Sequence, residues 1–513
     1  MADVIVEVPE VLARYSEGRG EVRVRADHVA AALEALFGVH PELRPRVLDA
    51  RGRVHPYLVL FRDGEELPRA GLAAFALRDG SRVELVGAAE GGCAAAAGAA
   101  DDDVRMRGFR TRVALEDAVA EALSGLVPLG AESVHVADAA GRVLAADVAS
   151  GVDVPAFPRA AMDGYAVHAE DTFGATPYAP RALRLVGEQM PGAGGDTVLA
   201  AGTACRIMTG AALPAGADAV LPAECAREGA ESVEAVDVVT PGRNVGRVGE
   251  DVRRGDALLA RGRRLRPQDV GLLASVGASP VAVVARPRVR LLVTGNELLP
   301  PGATPSGDRI VDSNTPMLAA LVARDGGVVA ESLRLRDDAA AIRAALAAPG
   351  ADVIVAAGGT SVGREDFLPL LVRELGALPV HGVAVRPAAP SGIGRIGGTP
   401  VFLLPGNPVA CLCAYDLFAG PAIRTLAGLP AAWPYGCAEL PLSERIASQL
   451  GRSDYVRVRL AAGGVVPIAA SGASVLSSTT RADGFVLVPA SSEGLPAGAT
   501  VAVHFYDAWT LGS

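Results

Sequence analysis

The chain contains no lysine; every basic residue along its 513 positions is an arginine or histidine, which removes Schiff-base and other lysine-based catalysis. No Cys-x-x-Cys pair occurs among its six cysteines, Cys93, Cys205, Cys225, Cys411, Cys413 and Cys437, and only Cys411 and Cys413 lie close together. Zinc-site spacing is therefore missing, and the thiols read as scattered residues of a reducing compartment. The seven histidines show no His-Glu-x-x-His or other paired ligand spacing, so a metal acting here is expected on oxygen ligands. Long apolar runs are missing too. The two longest uncharged stretches, Ile396 to Tyr415 and Leu460 to Thr480, are broken by Gly, Pro, Ser or Asn, and neither reads as a membrane span. The first ten residues carry acids and no basic n-region, which argues against a secretory signal and makes the cytoplasm the expected location. A net charge of −10 argues against a general nucleic-acid binder. It does not exclude a small anionic substrate, because local arginines, backbone amides or a metal can reverse the field.

What is present is enough apolar sequence for several folded domains, half the residues being hydrophobic in a chain too long for one core. Val4, Val6 and Val8 alternate as a strand with Glu21 to Arg25 as hairpin partner, and Asp27 is placed to cap a helix running through Val29, Leu33, Leu36 and Phe37 to a stop at Gly38. Two more strands, Tyr57 to Arg62 and Arg82 to Val86, complete a β-grasp order that ends in Glu90-Gly91-Gly92. A small-residue run and Asp101-Asp102-Asp103 then read as a linker. Helices are expected at Val113 to Leu126 and Pro267 to Val276, with Gly- and Pro-rich strand-and-turn sequence from Val152 to about Val239. From Arg288 apolar β-branched runs alternate with helices: Val289 to Thr294, Asn314 to Ala323, Val328 to Leu335, Ala339 to Ala347, Val353 to Ala356, Val401 to Leu404 and Val409 to Leu426. That alternation predicts a parallel, doubly wound sheet. The stretch Cys437 to His504 returns to short strands.

In such a sheet, ligands bind beyond the carboxyl ends of the strands. Those ends carry Thr294-Gly295-Asn296-Glu297, Gly358-Gly359-Thr360-Ser361-Val362-Gly363 through Asp366, and Pro405-Gly406-Asn407-Pro408 opening a long helix. Glycines let the backbone approach an anion, hydroxyls of Thr360 and Ser361 donate, and a helix start adds partial positive charge. Glu297 and Asp366 are suited to hold magnesium against phosphate. By composition alone, Met162-Asp163-Gly164-Tyr165, Met208-Thr209-Gly210 and Gly249-Glu250-Asp251 are no more than turns between strands.

Taken in order, however, Asp153-Val154-Pro155 through Ala161-Met162-Asp163-Gly164-Tyr165-Ala166-Val167, Ile207-Met208-Thr209-Gly210, Gly242-Arg243-Asn244-Val245 to Gly249-Glu250-Asp251, Thr294-Gly295-Asn296-Glu297, Asp312-Ser313-Asn314, the Gly358–Asp366 loop and Leu404-Pro405-Gly406-Asn407-Pro408 resemble the molybdopterin molybdenumtransferase family, which includes MoeA and the E domain of gephyrin. The resemblance covers about Arg110 to Tyr506. It implies a multidomain α/β and β fold: a helical domain (110–151 and 250–286), an inserted β-rich domain (152–249), a doubly wound domain (287–430) and a C-terminal β domain (431–513). It further implies a homodimer with its site shared between subunits, and a reaction of adenylylated molybdopterin with molybdate and Mg2+ that releases AMP. Carried over by motif, Asp163, Thr209, Asp251, Glu297, Asp366 and Arg386 are the catalytic candidates, with Glu297 and Asp366 also the metal ligands. Arg309, Ser313, Asn314, Gly358, Gly359, Thr360, Ser361, Gly363, Pro405, Gly406, Asn407 and Pro408 are the substrate-binding candidates, Arg309, Ser361 and Arg386 toward the oxyanion.

Two departures bear on that carry-over. Ala389 in Pro387-Ala388-Ala389-Pro390 stands where the family often has lysine, and Ala410 where it often has serine, which leaves molybdate and tungstate both open. Residues 1–92 resemble the small subunit of molybdopterin synthase, a ubiquitin-like sulfur carrier whose terminal glycine carboxylate is adenylylated and converted to a thiocarboxylate. Gly91 and Gly92 are the corresponding tail, and residues 93–109 the linker behind it. Here Gly92 is peptide-bonded to Cys93, so cleavage, or docking without cleavage, would be needed. The implied partners are the large subunit of the synthase and its activating adenylyltransferase. A scaffold role and molybdopterin adenylyl transfer are the competing readings.

Overall fold

The computed structural model describes the chain except residues 14, 18, 50, 56, 57, 69, 88–108, 110, 194–196, 362–365, 469–472 and 508–513. The Gly91-Gly92 tail, nearly all of the expected linker and Gly363 lie outside the described residues.

At the N-terminus the alternating valines do what their period requires. Ala2–Glu7 pairs antiparallel with Glu21–Ala26 in a register that sets Val4 opposite Val24 and Val6 opposite Val22. The sheet order is Glu21–Ala26, Ala2–Glu7, Arg82–Gly87, Leu58–Arg62, Glu65–Leu67, with the central Ala2–Glu7 and Arg82–Gly87 parallel. One face buries its valines under the helix Val29–Val39, which contributes Val29, Leu33, Leu36 and Phe37. The arrangement is a β-grasp. Three details differ from expectation. His28, not Asp27, caps the helix, its Nδ1 accepting from the Ala31 amide at 3.1 Å. Gly38 keeps a helical backbone with no positive φ, so the helix continues to Val39. Glu65–Leu67 is an added edge strand too short to show an alternating pattern.

Contacts divide the chain into two compact units, residues 130–285 and the remainder. The 130–285 unit holds a six-stranded sheet in the order Ala219–Pro222, Gly164–Val167, Thr203–Ile207, Arg181–Gln189, Ser232–Ala235, Ala226–Glu228. A second apolar cluster, including Leu144, Leu265, Leu273 and Val283, packs about the helix Pro267–Ser275. The helix Leu115–Leu123 does not join that cluster, although 110–151 was expected to form one helical body with 250–286. Its Leu115, Ala118 and Ala122 are buried with Val289, Phe402 and Phe418, because two alanines on one face let it lie close against the helical run after Pro408.

The central sheet runs Val328–Leu335, Arg288–Thr294, Val353–Ala357, Thr399–Leu404, Gly392–Ile396, Ala377–His381. Its first four strands are parallel, while the last two form an antiparallel extension, so the expected purely parallel sheet is in fact mixed. Gly397 and Gly398, both at positive φ, make the tight hairpin that reverses the chain there. Since Arg288–Thr294 is flanked by the next two parallel strands in sequence, the strand order reverses at its carboxyl end, and a crevice opens there. The helical run Pro408–Leu426 is long and apolar enough to cross a membrane, but 89% of its apolar window is buried inside the protein, as befits a core helix. It is not one α-helix as expected: Tyr415–Ala419 forms a π turn. Val385–Arg386, from before that run, joins Ser453–Ala461, Gly484–Val488, Thr500–Phe505 and Gly436–Pro441 in the C-terminal sheet, over a core of Val456, Val458, Val486, Val503 and Phe505.

Candidate functional site

At the reversal point lies a cavity of about 830 Å³. Its lining includes Thr294, Gly295 and Glu297 after the first strand, Gly358 to Ser361 and Asp366 after the third, and Pro405 to Pro408 after the fourth. The walls come close together here, and the glycines follow from that. Gly358 has φ +88°, and a Cβ on it would run into the Thr294 carbonyl oxygen; one on Gly359 would lie 2.9 Å from Thr294 Oγ1. Only glycine permits both the left-handed backbone and the approach. Thr360 Oγ1 is tied to the Leu404 carbonyl at 3.2 Å, and Asn314 Nδ2 donates to the Gly406 carbonyl at 2.8 Å. The Gly358–Ser361 loop, the Pro405–Pro408 loop and the start of the Asn314–Arg324 helix are thus held together.

Two buried polar atoms of the lining are left over. Thr294 Oγ1 and Asn314 Oδ1 are sealed from solvent with no hydrogen-bond partner among the described residues. Such atoms cost about 1–3 kcal/mol each when unsatisfied, and a ligand that pairs them recovers that cost. Asp312 also lines the cavity and is 3% exposed. It accepts from the Thr315 amide at 3.0 Å and from Thr315 Oγ1 at 2.5 Å, so it caps the helix Asn314–Arg324 in place of Ser313. Pro390, Asp337 and Ser474 complete the wall and were not anticipated. Asp312 had a signal in the Asp-Ser-Asn-Thr start of a helix; Pro390 and Ser474 had none, being 84 residues apart and joined only by folding.

The structure therefore brings together Glu297, Ser313, Asn314, Gly358, Gly359, Thr360, Ser361, Asp366, Pro405, Gly406, Asn407 and Pro408. It does not bring Arg309 or Arg386 to the wall, and no arginine occurs among the described lining residues. Arg309 is exposed on its loop. Arg386 Nη2 instead binds the buried Asp454 Oδ2 at 2.6 Å, and Asp454 also takes Ser448 Oγ at 2.9 Å. That pairing ties the Arg386 guanidinium to the C-terminal sheet, outside the lining of this cavity. The helix start at Pro408 is likewise occupied. The Val409 and Ala410 amides donate to the Ala473 carbonyl at 3.0 and 3.4 Å, so neither is free for an anion. Ala410 is itself buried and outside the wall.

Glu297 and Asp366 facing one cavity suit a magnesium ion that takes its other ligands from substrate oxygens and water. No group of three or more His, Cys, Asp or Glu able to hold a metal occurs among the described residues, so the carboxylates alone do not make a closed cage.

Asp163, Thr209 and Asp251 lie exposed in the 130–285 unit. The Thr209 amide and hydroxyl donate to Asp163 Oδ1 at 2.7 and 2.8 Å, and these bonds hold the Asp163 carboxyl below the usual carboxylate range. Asp163-Gly164 is thus more than a loose turn: its side chain closes onto the Thr209-Gly210 turn.

The family model for the MoeA N-terminal region (domain I and II) matches residues 113–277, that for a probable molybdopterin binding domain residues 290–425, and that for the MoeA C-terminal region (domain IV) residues 439–506. Molybdopterin molybdenumtransferase 2 of Mycobacterium tuberculosis is 36% identical over 400 residues, covering 75% of this chain and 96% of the relative. The molybdopterin molybdenumtransferase of Bacillus subtilis is 31% identical over 408 residues, 77% and 94% of the two chains. The crystal structure of a molybdopterin biosynthesis MoeA protein from Pyrococcus horikosii aligns with 78% of this chain and 100% of its own, at 35% identity and a TM-score of 0.66.

Proposed function

The chain belongs to the molybdopterin molybdenumtransferase (MoeA) family, an enzyme family of molybdenum cofactor biosynthesis, and on that footing we propose that it transfers molybdenum from molybdate to adenylylated molybdopterin with release of AMP. One observation carries the assignment of the site. Glycine loops from three strand ends, four carboxylates (Glu297, Asp312, Asp337 and Asp366) and two buried polar atoms without a partner among the described residues converge on a single cavity. A phosphate-bearing substrate is accommodated by close backbone approach, and Thr294 Oγ1 and Asn314 Oδ1 find their missing partners on its polar groups. Magnesium, when bound at Glu297 and Asp366, would supply positive charge at the phosphate oxygens. The protein's own part is to orient the substrate through Ser361 and Asn314, with Thr360 fixing the loop from behind, and to hold the Glu297 and Asp366 carboxylates toward it. Ser313, Gly363 and the Pro405–Pro408 loop enter as the remaining binding elements. The test is direct: purified protein given adenylylated molybdopterin, molybdate and Mg2+ should yield AMP and active cofactor in equal amounts. AMP without cofactor would point to a hydrolase, and neither product to a scaffold.

Asp163, Thr209 and Asp251 enter this reading by family motif, and we place them as groups a partner subunit supplies in a homodimer. Mixing inactive Asp163→Ala and Asp366→Ala subunits should then restore activity in about half the sites of the heterodimers. No recovery after verified exchange removes the shared site.

The β-grasp fold supports reading residues 1–92 as a sulfur-carrier-like domain, with the synthase large subunit and its activating adenylyltransferase as partners and the cytoplasm as the place of work. Its chemistry needs a free carboxylate at Gly92, and mass spectrometry of the native protein should find a fragment ending there. Intact chain alone would favour docking. The boundaries at 152–249, 287–430 and 431–513 stand as part of the same reading, with Leu115–Leu123 assigned to the doubly wound core.

A further inference from the structure

Away from the cavity, one constellation joins the β-grasp domain to the C-terminal β domain inside a single compact unit. Leu450 belongs by sequence to the C-terminal domain, yet it is 4% exposed as a member of the N-terminal domain's apolar cluster, with Leu12, Leu43 and Val47, and not of its own domain's core. Glu493 lies on the neighbouring stretch, for the Ser448 amide donates to the Glu493 carbonyl and the Gly451 amide to that of Ala490, each at 2.9 Å. Glu493 Oε2 accepts from Tyr15 Oη at 3.0 Å and from Arg46 Nη2 at 2.7 Å. The Arg46 guanidinium lies over the Tyr15 ring, 3.8 Å from its centroid, and its Nη1 is steadied by the Glu42 carbonyl at 2.7 Å.

These parts differ from an incidental surface pair. An exposed ion pair between flexible side chains contributes little. Here the arginine is mostly shielded, pre-oriented by its own domain, stacked on an aromatic face, and matched to one carboxylate oxygen that a tyrosine shares. Next to it an apolar side chain from the other domain is fully sunk. A buried apolar anchor flanked by an arginine and a tyrosine is the composition of an energetic centre in a protein interface. The contact is made from the side of the short helices Glu10–Ala13 and Arg44–Val47, while Glu21, Arg23 and Arg25 on the outer face of the sheet stay exposed.

We propose that this is a built interface which holds the β-grasp domain on the C-terminal domain of its own chain, independently of the peptide connection between them. It follows that a β-grasp domain cut loose behind Gly92 stays on the enzyme. The inference does not depend on the transferase reading.

The test uses the full chain with a site-specific protease sequence substituted within residues 95–103, cut to completion and passed over a sizing column at about 10 µM. The two parts should elute together. Glu493→Arg should weaken their association about tenfold or more, the scale expected when hydrogen bonds to a charged group are lost and the charge reversed. Arg46→Glu added to Glu493→Arg should bring the parts back together, which no general unfolding of either domain would do. Parts that separate in the unmutated protein overturn the proposal. So does an affinity, read from elution over a dilution series, that Glu493→Arg leaves unchanged or that exchange of the charges does not restore.

Discussion

The cavity at the strand ends and the ion-pair network deeper in the same domain are both polar, and both are built on the same two helical runs. Asn314 opens one helix and lines the cavity, whereas Arg324 closes it and anchors the network. Pro408 opens the other run at the cavity, and Asp416 follows in its π turn, fully buried. In the network every charge is answered. Arg324 binds Asp325 at 2.7 Å and Asp416 at 3.0 Å, Arg424 reaches Asp325 at 3.4 Å, and Tyr435 donates to Asp416 at 2.9 Å. Burial works against the Arg324 charge, but the two carboxylates outweigh it and hold its pKa above the usual value; burial in turn pushes the Asp416 carboxyl up. In the cavity, by contrast, Thr294 Oγ1 and Asn314 Oδ1 are unanswered. The difference teaches where a ligand belongs. Unpartnered buried atoms occur elsewhere among the described residues too, His40 Nε2 for one, so what marks the cavity is that its two lie in the wall of a volume a ligand can enter.

The largest effect that could break this contrast is on the scaffold side. Asp416→Ala leaves Arg324 with one carboxylate fewer in a sealed site, and should cost about 3–5 kcal/mol in denaturant unfolding. A loss below about 1 kcal/mol would mean that the network is not the internal support described. Next come the carboxylates of the cavity. Glu297→Ala and Asp366→Ala should each lower AMP release at least about 100-fold, roughly 2.7 kcal/mol in transition-state free energy, with the melting temperature unchanged. Near-normal turnover in both removes them from the chemistry.

Thr294→Val sharpens the comparison from within the cavity. It deletes a hydroxyl that no group among the described residues satisfies, so stability should hold or rise by up to about 1 kcal/mol, while substrate affinity falls about tenfold. Equal binding by the variant would show that the hydroxyl serves no ligand. The smallest effect concerns pH. Asp269, buried at the start of Pro267–Ser275, is held well below the usual carboxylate range by hydrogen bonds from Arg266 and then Arg263. Its folded pKa lies below the unfolded one, so its contribution is complete above about pH 4 and is lost as pH falls through the folded value. Asp269→Asn should therefore be less stable near neutrality and show a flatter loss of stability in acid. An identical acid profile would assign that loss to other groups.

Much of the site was legible before folding, and the reason is local. Glu297, Gly358 to Ser361 and Asp366 were readable because an apolar β-branched run followed by glycine and polar residues marks a parallel strand end. The antiparallel extension was not, because Gly392–Ile396 and Thr399–Leu404 are buried runs that read alike in either direction. Helix ends shifted by a residue or two, as at His28 and Gly38, where the cap depends on backbone angles that neighbours share.

Two groups read from the sequence as open to an anion are engaged elsewhere in the fold. Arg386 looked free for an oxyanion, but its partner Asp454 lies 68 residues away. The amides after Pro408 looked available for an anion, but Ala473 takes them from a distant loop. Sequence alone determined most of the elements, the family and which loops sit at strand ends, since each rests on local pattern and on ordered motifs. Only the tertiary structure decided which of the polar groups are already satisfied, because a hydrogen-bond partner is set by distance in space, and chain separation says nothing of it.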